Sequence, residues 1–109
     1  MNTRDILLAF FEAENKRDWA AYRKFLSPDV VWTLHSRQTE IIRGRENYLT
    51  AMMEAYRSCD NTFVCEALHQ SSDGTRVVTM LRNDLDERSC DIFEFADDCI
   101  IREDEFILD

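Results

Sequence analysis

The sequence predicts an α+β fold, with three helices packed on one face of a curved antiparallel sheet. Three observations predict it. Helical periodicities fill the N-terminal half around a single strand, the C-terminal half alternates as strands do, and turn pairs divide that half into hairpins. A chain of 109 residues has room for one core, so residues 1–109 are expected to form a single domain.

From Thr3 to about Asn15, Ile6, Leu7, Phe10, Phe11 and Ala13 recur at three- and four-residue steps and define one helix face. Asn2 or Thr3 serves as its cap, and Lys16-Arg17 breaks the stripe. Asp18 caps a short second helix carrying Trp19, Tyr22, Phe25 and Leu26. Pro28 ends it near Leu26 by disfavouring helical backbone at Ser27. Val30 to His35 is β-branched and aromatic and reads as a strand. Val30, Trp32 and Leu34 share one face; Val31, Thr33 and His35 share the other. Arg37 to Arg43 is a loop with room for a short strand at Ile41-Ile42. Gly44 opens a third helix, Arg45 to about Cys59, striped by Tyr48, Leu49, Met52, Met53, Tyr56 and Cys59. Strands follow over Thr62 to Gln70, Arg76 to Arg82, residues 88–96 and Cys99 to Leu108, with Asp73-Gly74 and Asp97-Asp98 as turns.

Composition narrows the function classes. Gly44 and Gly74 are the two glycines, thirty residues apart, which excludes both a dinucleotide fingerprint and a phosphate loop. The net charge is −9 and is carried entirely by residues 84–109, which hold 11 acids against Arg88 and Arg102. An acidic surface repels phosphate backbones, so no nucleic-acid partner is expected. No stretch approaches the ~18 apolar residues of a membrane span, and no signal-peptide pattern opens the chain. Cys59, Cys65, Cys90 and Cys99 form no C-x-x-C pair and lie at no metal-finger spacing from His35 or His69. Reduced thiols in a cytoplasmic protein are expected, with no metal and no cofactor.

The last hairpin carries the chemistry. With Asp97-Asp98 as a two-residue loop, Ala96 pairs with Cys99, Phe95 with Ile100, Phe93 with Arg102, Asp91 with Asp104 and Ser89 with Phe106. The other side carries Cys90, Ile92, Glu94, Ile101, Glu103, Glu105 and Ile107. The first side is the more aromatic and is assigned to the core. Asp91 and Asp104 then stand opposite each other, with Cβ atoms about 4.5–5.5 Å apart. Two carboxylates so close among aromatics raise the pKa of one, leaving an acid that donates a proton and a partner that accepts one. Arg102, two residues from Asp104 and diagonal to Asp91, offers a plainer alternative: a salt-bridge cluster that orders a pocket wall.

The sequence resembles the nuclear transport factor two-like superfamily, which includes ketosteroid isomerases and SnoaL-like polyketide cyclases. The resemblance covers essentially the whole chain. It rests on Phe25-Leu26-Ser27-Pro28-Asp29-Val30-Val31-Trp32, Gly44-Arg45-Glu46, Asp73-Gly74 before Arg76-Val77-Val78, and Asp91-Ile92-Phe93-Glu94-Phe95. It implies a cone-shaped, cystatin-like roll, a curved sheet wrapped around the three helices. The final turn departs from the family's Asp-Gly, with Asp98-Cys99 in its place. By resemblance to the isomerases, Asp91 matches the protonated aspartate of the oxyanion hole. The tyrosine position falls on Phe10 and the base position on Leu34, neither of which can exchange a proton. The resemblance therefore implies a pocket containing Asp91 without steroid isomerase chemistry in that form.

Two functions follow as expectations. One is cofactor-independent acid/base catalysis by Asp91 and Asp104 on a small apolar organic molecule, as an isomerase, cyclase, dehydratase or hydrolase. Phe10, Trp32, Leu34, Tyr48, Met52, Tyr56, Phe93, Arg102 and Phe106 would line its pocket. The other is a non-catalytic ligand-binding or assembly domain. In either case the outer face, where Ile92, Ile101 and Ile107 alternate with Glu94, Glu103 and Glu105, is expected to form a homodimer.

Overall fold

Local capping sets the first helices. In the computed structural model, which describes residues 2–108, the Asn2 side chain accepts a 2.9 Å hydrogen bond from the Asp5 N–H and starts α1 (Thr3–Lys16). Arg17 takes a left-handed backbone, φ 59°, and ends it. Asp18 caps α2 (Trp19–Lys24) by accepting from the Ala21 N–H. This helix stops short of Leu26 because Pro28 forces extended backbone upstream, and β1 (Leu26–His35) begins there. The short strand expected at Ile41-Ile42 is β2 (Thr39–Arg43). Gly44, at φ 91°, turns the chain into α3 (Arg45–Ala55), whose predicted last turn unwinds between Tyr56 and Cys59.

The remaining strands are β3 (Phe63–Gln70), β4 (Arg76–Asn83), β5 (Arg88–Ala96) and β6 (Cys99–Ile107). The sheet order is β2-β1-β6-β5-β4-β3. Four pairings are antiparallel, but β1 and β6 run parallel, so the sheet is mixed. The reason is topological. The β1-β2 hairpin and the β3–β6 meander are built separately, and α3 crosses between them before the meander's last strand docks on β1. The α+β roll stands, with helices on the concave face.

The hairpin turn is where sequence and structure part. Asp97 and Asp98 both have positive φ, 52° and 63°, as a two-residue hairpin turn requires. Ala96 pairs with Cys99 and Phe95 with Ile100, as expected. Then Glu94 faces Arg102, and Ile101 is an extra residue, a β-bulge. The Ile100 N–H explains it: that donor is drawn to the Phe25 carbonyl at 2.8 Å, beside an irregularity in β1 itself. Ile100 stays fully buried at the base of the core, and Ile101 is pushed outward. Beyond the bulge every β6 side chain is on the opposite face from the one expected.

Candidate functional site

Two rows of the sheet form the floor of the site. Trp32, Glu103, Phe93 and Val77 lie side by side across β1, β6, β5 and β4; Leu34, Glu105, Asp91 and Thr79 form the next row. Helix α1 lays Phe10, Phe11 and Glu14 over this floor, and α3 adds Tyr48, Met52 and Tyr56. Between them is a cavity of about 390 Å³. Phe10 closes its inner end, stacked on Tyr22 with centroids 4.0 Å apart and edge-on to Phe93.

The expected carboxylate pair is replaced by a different set. Asp91 faces Glu105, not Asp104, and Glu103 is diagonal to it. Asp104 lies on the outer face, 3.0 Å from His35 Nε2 and 3.4 Å from Arg102 Nε. Phe106 is also outside, stacked on the His35 ring at 4.3 Å. The one-residue bulge therefore removes Asp104, Arg102 and Phe106 from the site. Arg102 does pair with Asp104, as the plainer alternative held, but away from Asp91. Phe10, Trp32, Leu34, Tyr48, Met52, Tyr56 and Phe93 line the cavity with Asp91. The expected outer face changes with the same shift: Glu103, Glu105 and Ile107 turn inward.

Five acids line the cavity; Glu87 is exposed at its rim, and the other four are each answered differently. Glu14 accepts from the Tyr22 hydroxyl at 3.1 Å and the Tyr56 hydroxyl at 2.5 Å. Burial nevertheless holds its pKa up at about 7. Glu103 accepts from the Tyr48 hydroxyl, and burial with the neighbouring Asp91 charge pushes it well above the usual carboxylate range. Trp32 Nε1 donates to Glu105 at 3.2 Å, and burial, then Asp91, raises that carboxyl too. Asp91 is raised by burial and pulled partly back by hydrogen bonds with Ser89 and Glu103. It exposes 2% of its surface, and its Oδ1 has no partner among the described residues. Asp91, Glu103 and Glu105 titrate as one system, with protons shared inside it.

Glu14, Glu103, Glu105 and Tyr22 are site residues that sequence reasoning missed. Glu14 left a signal, since it extends the stripe Leu7, Phe10, Phe11 by one turn and is an acid on an apolar face. Glu103 and Glu105 left none that local pattern could separate from a solvated face.

No curated protein shows significant sequence similarity to this chain. A family model for the SnoaL-like domain matches residues 7–103. The chain belongs to the SnoaL-like domain family. Solved structures agree with the fold. A Kribbella flavida DSM 17836 protein provisionally assigned as a ketosteroid isomerase is 25% identical, covering 98% of this chain and 78% of its own, with a TM-score of 0.82. Bal32a, from a soil-derived mobile gene cassette, is 22% identical over 98% of this chain and 89% of its own, at TM-score 0.87. A provisionally assigned SnoaL-like polyketide cyclase of Jannaschia sp. CCS1 is 18% identical over 95% and 83%, at 0.81. Within this SnoaL-like domain the Phe10 and Leu34 positions do line the cavity, as side chains without an exchangeable proton. The hydroxyls come instead from Tyr22, Tyr48 and Tyr56. No helix among the described residues is long and apolar enough to cross a membrane.

Proposed function

We propose that this SnoaL-like domain is an acid/base catalyst that moves a proton on a small, largely apolar organic molecule held in the cone. The observation that carries this reading is Asp91, a buried carboxyl with one oxygen unpartnered inside an aromatic cavity. Asp91 exchanges the proton with the ligand. Glu103 and Glu105, raised by burial and by Asp91 itself, are the reservoir that resupplies or receives it. Glu105 thereby takes the role expected of Asp104. Such proton transfer drives isomerisation, cyclisation or dehydration with no group beyond the chain's own carboxyls. The four unpaired thiols fit a reducing compartment, the cytoplasm.

Deuterium uptake at the α-carbon of cyclic enolisable ketones, followed by NMR in D2O, tests the reading. The wild-type protein is expected to accelerate exchange over buffer, and Asp91→Asn to lose about a hundredfold or more of that acceleration. Equal exchange by wild type and Asp91→Asn would sink it.

A second reading, a homodimer through the outer face, rests on Phe106, 36% exposed and in one row with Cys90 and Met80 across β6, β5 and β4. Sedimentation of a monomer at micromolar concentration would remove it.

A further inference from the structure

The cavity is charged in one direction. Its lining includes the acids Glu14, Glu87, Asp91, Glu103 and Glu105, and among the described residues Arg88 is the one base. Arg88 is exposed at the rim, with its Nε directed to Glu66 at 3.2 Å. Arg17, the nearest other cation, is already committed. Its guanidinium lies 3.9 Å above the Tyr56 ring, and it donates to the carbonyls of Cys59 and Asn61. The inner acids Asp91, Glu103 and Glu105 therefore have no positive partner supplied by the protein. A buried, unpartnered carboxylate oxygen is unfavourable by several kcal/mol unless something satisfies it. Once the set ionises, an anion is repelled, and a cation is what answers the charge.

We propose that the ligand is an organic cation: a small amine bound as its ammonium, with the nitrogen among Asp91, Glu103 and Glu105 and the hydrocarbon body against Trp32 and Tyr48. This rests on the pocket reading above and names the charge of what fills it. Two independent features fit. The first is the Asp91 Oδ1, buried and unpartnered, on a residue that lines the cavity. The second is the wall: Trp32 and Tyr48 stand with ring centroids 4.9 Å apart, and aromatic faces attract cations most strongly where water is excluded.

Geometry favours an ammonium over a metal ion. The three carboxylates offer one oxygen each, all within 4.8 Å of one another. Three acceptors around a tetrahedral ammonium at ~2.8 Å stand about 4.6 Å apart, which falls inside that limit. A calcium or magnesium ion needs about six oxygens. Here Tyr48 and Trp32 already occupy one oxygen each of Glu103 and Glu105, and the surrounding wall is hydrocarbon.

Calorimetric titration of the full chain at mildly alkaline pH, with benzylamine, benzyl alcohol and magnesium chloride as probes, tests this. Benzylamine should bind at least about tenfold more tightly than benzyl alcohol, a preference that charge-assisted hydrogen bonds and cation–π contact supply. Asp91→Asn and Glu105→Gln, each checked for native near-UV circular dichroism, should cut the preference to about twofold or less. Equal binding of amine and alcohol overturns the ammonium proposal and leaves the pocket intact. Displacement of benzylamine by magnesium overturns it in favour of a metal site. Binding by neither organic probe removes the pocket reading and this proposal together.

Discussion

The two faces of β6 hold acids one residue apart, and they behave as different chemical species. On the outer face Asp104 is half-buried and lies between the His35 imidazole and the Arg102 guanidinium, with water at hand. On the inner face the buried Glu103 and the half-buried Glu105 lie against Asp91 and are answered by a phenol and an indole, with no cation in reach. The outer acid is a solvated ion-pair member of small energetic consequence. The inner acids are held above their usual range by burial and mutual repulsion. Residue type is nearly the same on both faces. What differs is the supply of water and of counter-charge, and one inserted residue, Ile101, decides which acid receives which environment.

Inserting an alanine between Arg102 and Glu103 breaks the comparison most severely. Alternation beyond the inserted residue would turn Glu103 and Glu105 outward and present Asp104 and Phe106 to the cavity. Ejecting the inner acids and repacking the floor should destabilise the fold by at least about 3 kcal/mol. Urea unfolding measures it. A variant of near wild-type stability would show that the core tolerates either register, and that the bulge selects nothing.

The bulge was not legible because its cause is not local. The two-residue turn follows from Asp97-Asp98, and the helices follow from capping residues and apolar spacing. The displacement of β6 follows from the Ile100 N–H meeting the Phe25 carbonyl, a contact made after α2 and β1 are in place. Asp91 was legible because β5 is regular from Arg88 to Ala96, so alternation alone puts it inside with Phe93. The same alternation applied across the bulge sent Asp104 inward and Glu105 outward. Periodicity carries a side chain's face only as far as the ladder is unbroken. Glu14 was legible from its place in the α1 stripe, where a charged residue on a buried face marks either a satisfied core acid or a site.

Glu14 sharpens the comparison at intermediate size. Its pKa is raised from 4.5 to about 7, chiefly by burial. A raised carboxyl pKa favours the folded state while the group is protonated in both states, at low pH. That contribution is lost as pH rises from the unfolded value through about 7. Stability should therefore fall across this window by up to about 3 kcal/mol from Glu14 alone. Glu14→Gln, which cannot ionise and keeps one acceptor oxygen for one tyrosine while its NH2 can donate to the other hydroxyl, should flatten that part of the curve. Denaturant melts at mildly acidic and neutral pH decide it, and an unchanged slope would mean that Glu14 is not the group responsible.

The smallest effect belongs to Asp104, the residue that a regular hairpin would have made half of the carboxylate pair. Its partners His35 and Arg102 are on the outer face, and its side chain is 22% exposed. Replacing it with Asn removes a screened charge and keeps one acceptor oxygen, enough for one of its two neighbours. The expected loss is below about 1 kcal/mol. Ketone exchange and benzylamine binding should match wild type, because no atom of Asp104 reaches the cavity lining. Paired with Glu105→Gln, this is the direct test of the bulge: the two carboxyls are adjacent on the strand, of the same charge, and on opposite faces. If Asp104→Asn lost the amine preference and Glu105→Gln kept it, the hairpin would have to be regular and the two faces of β6 exchanged.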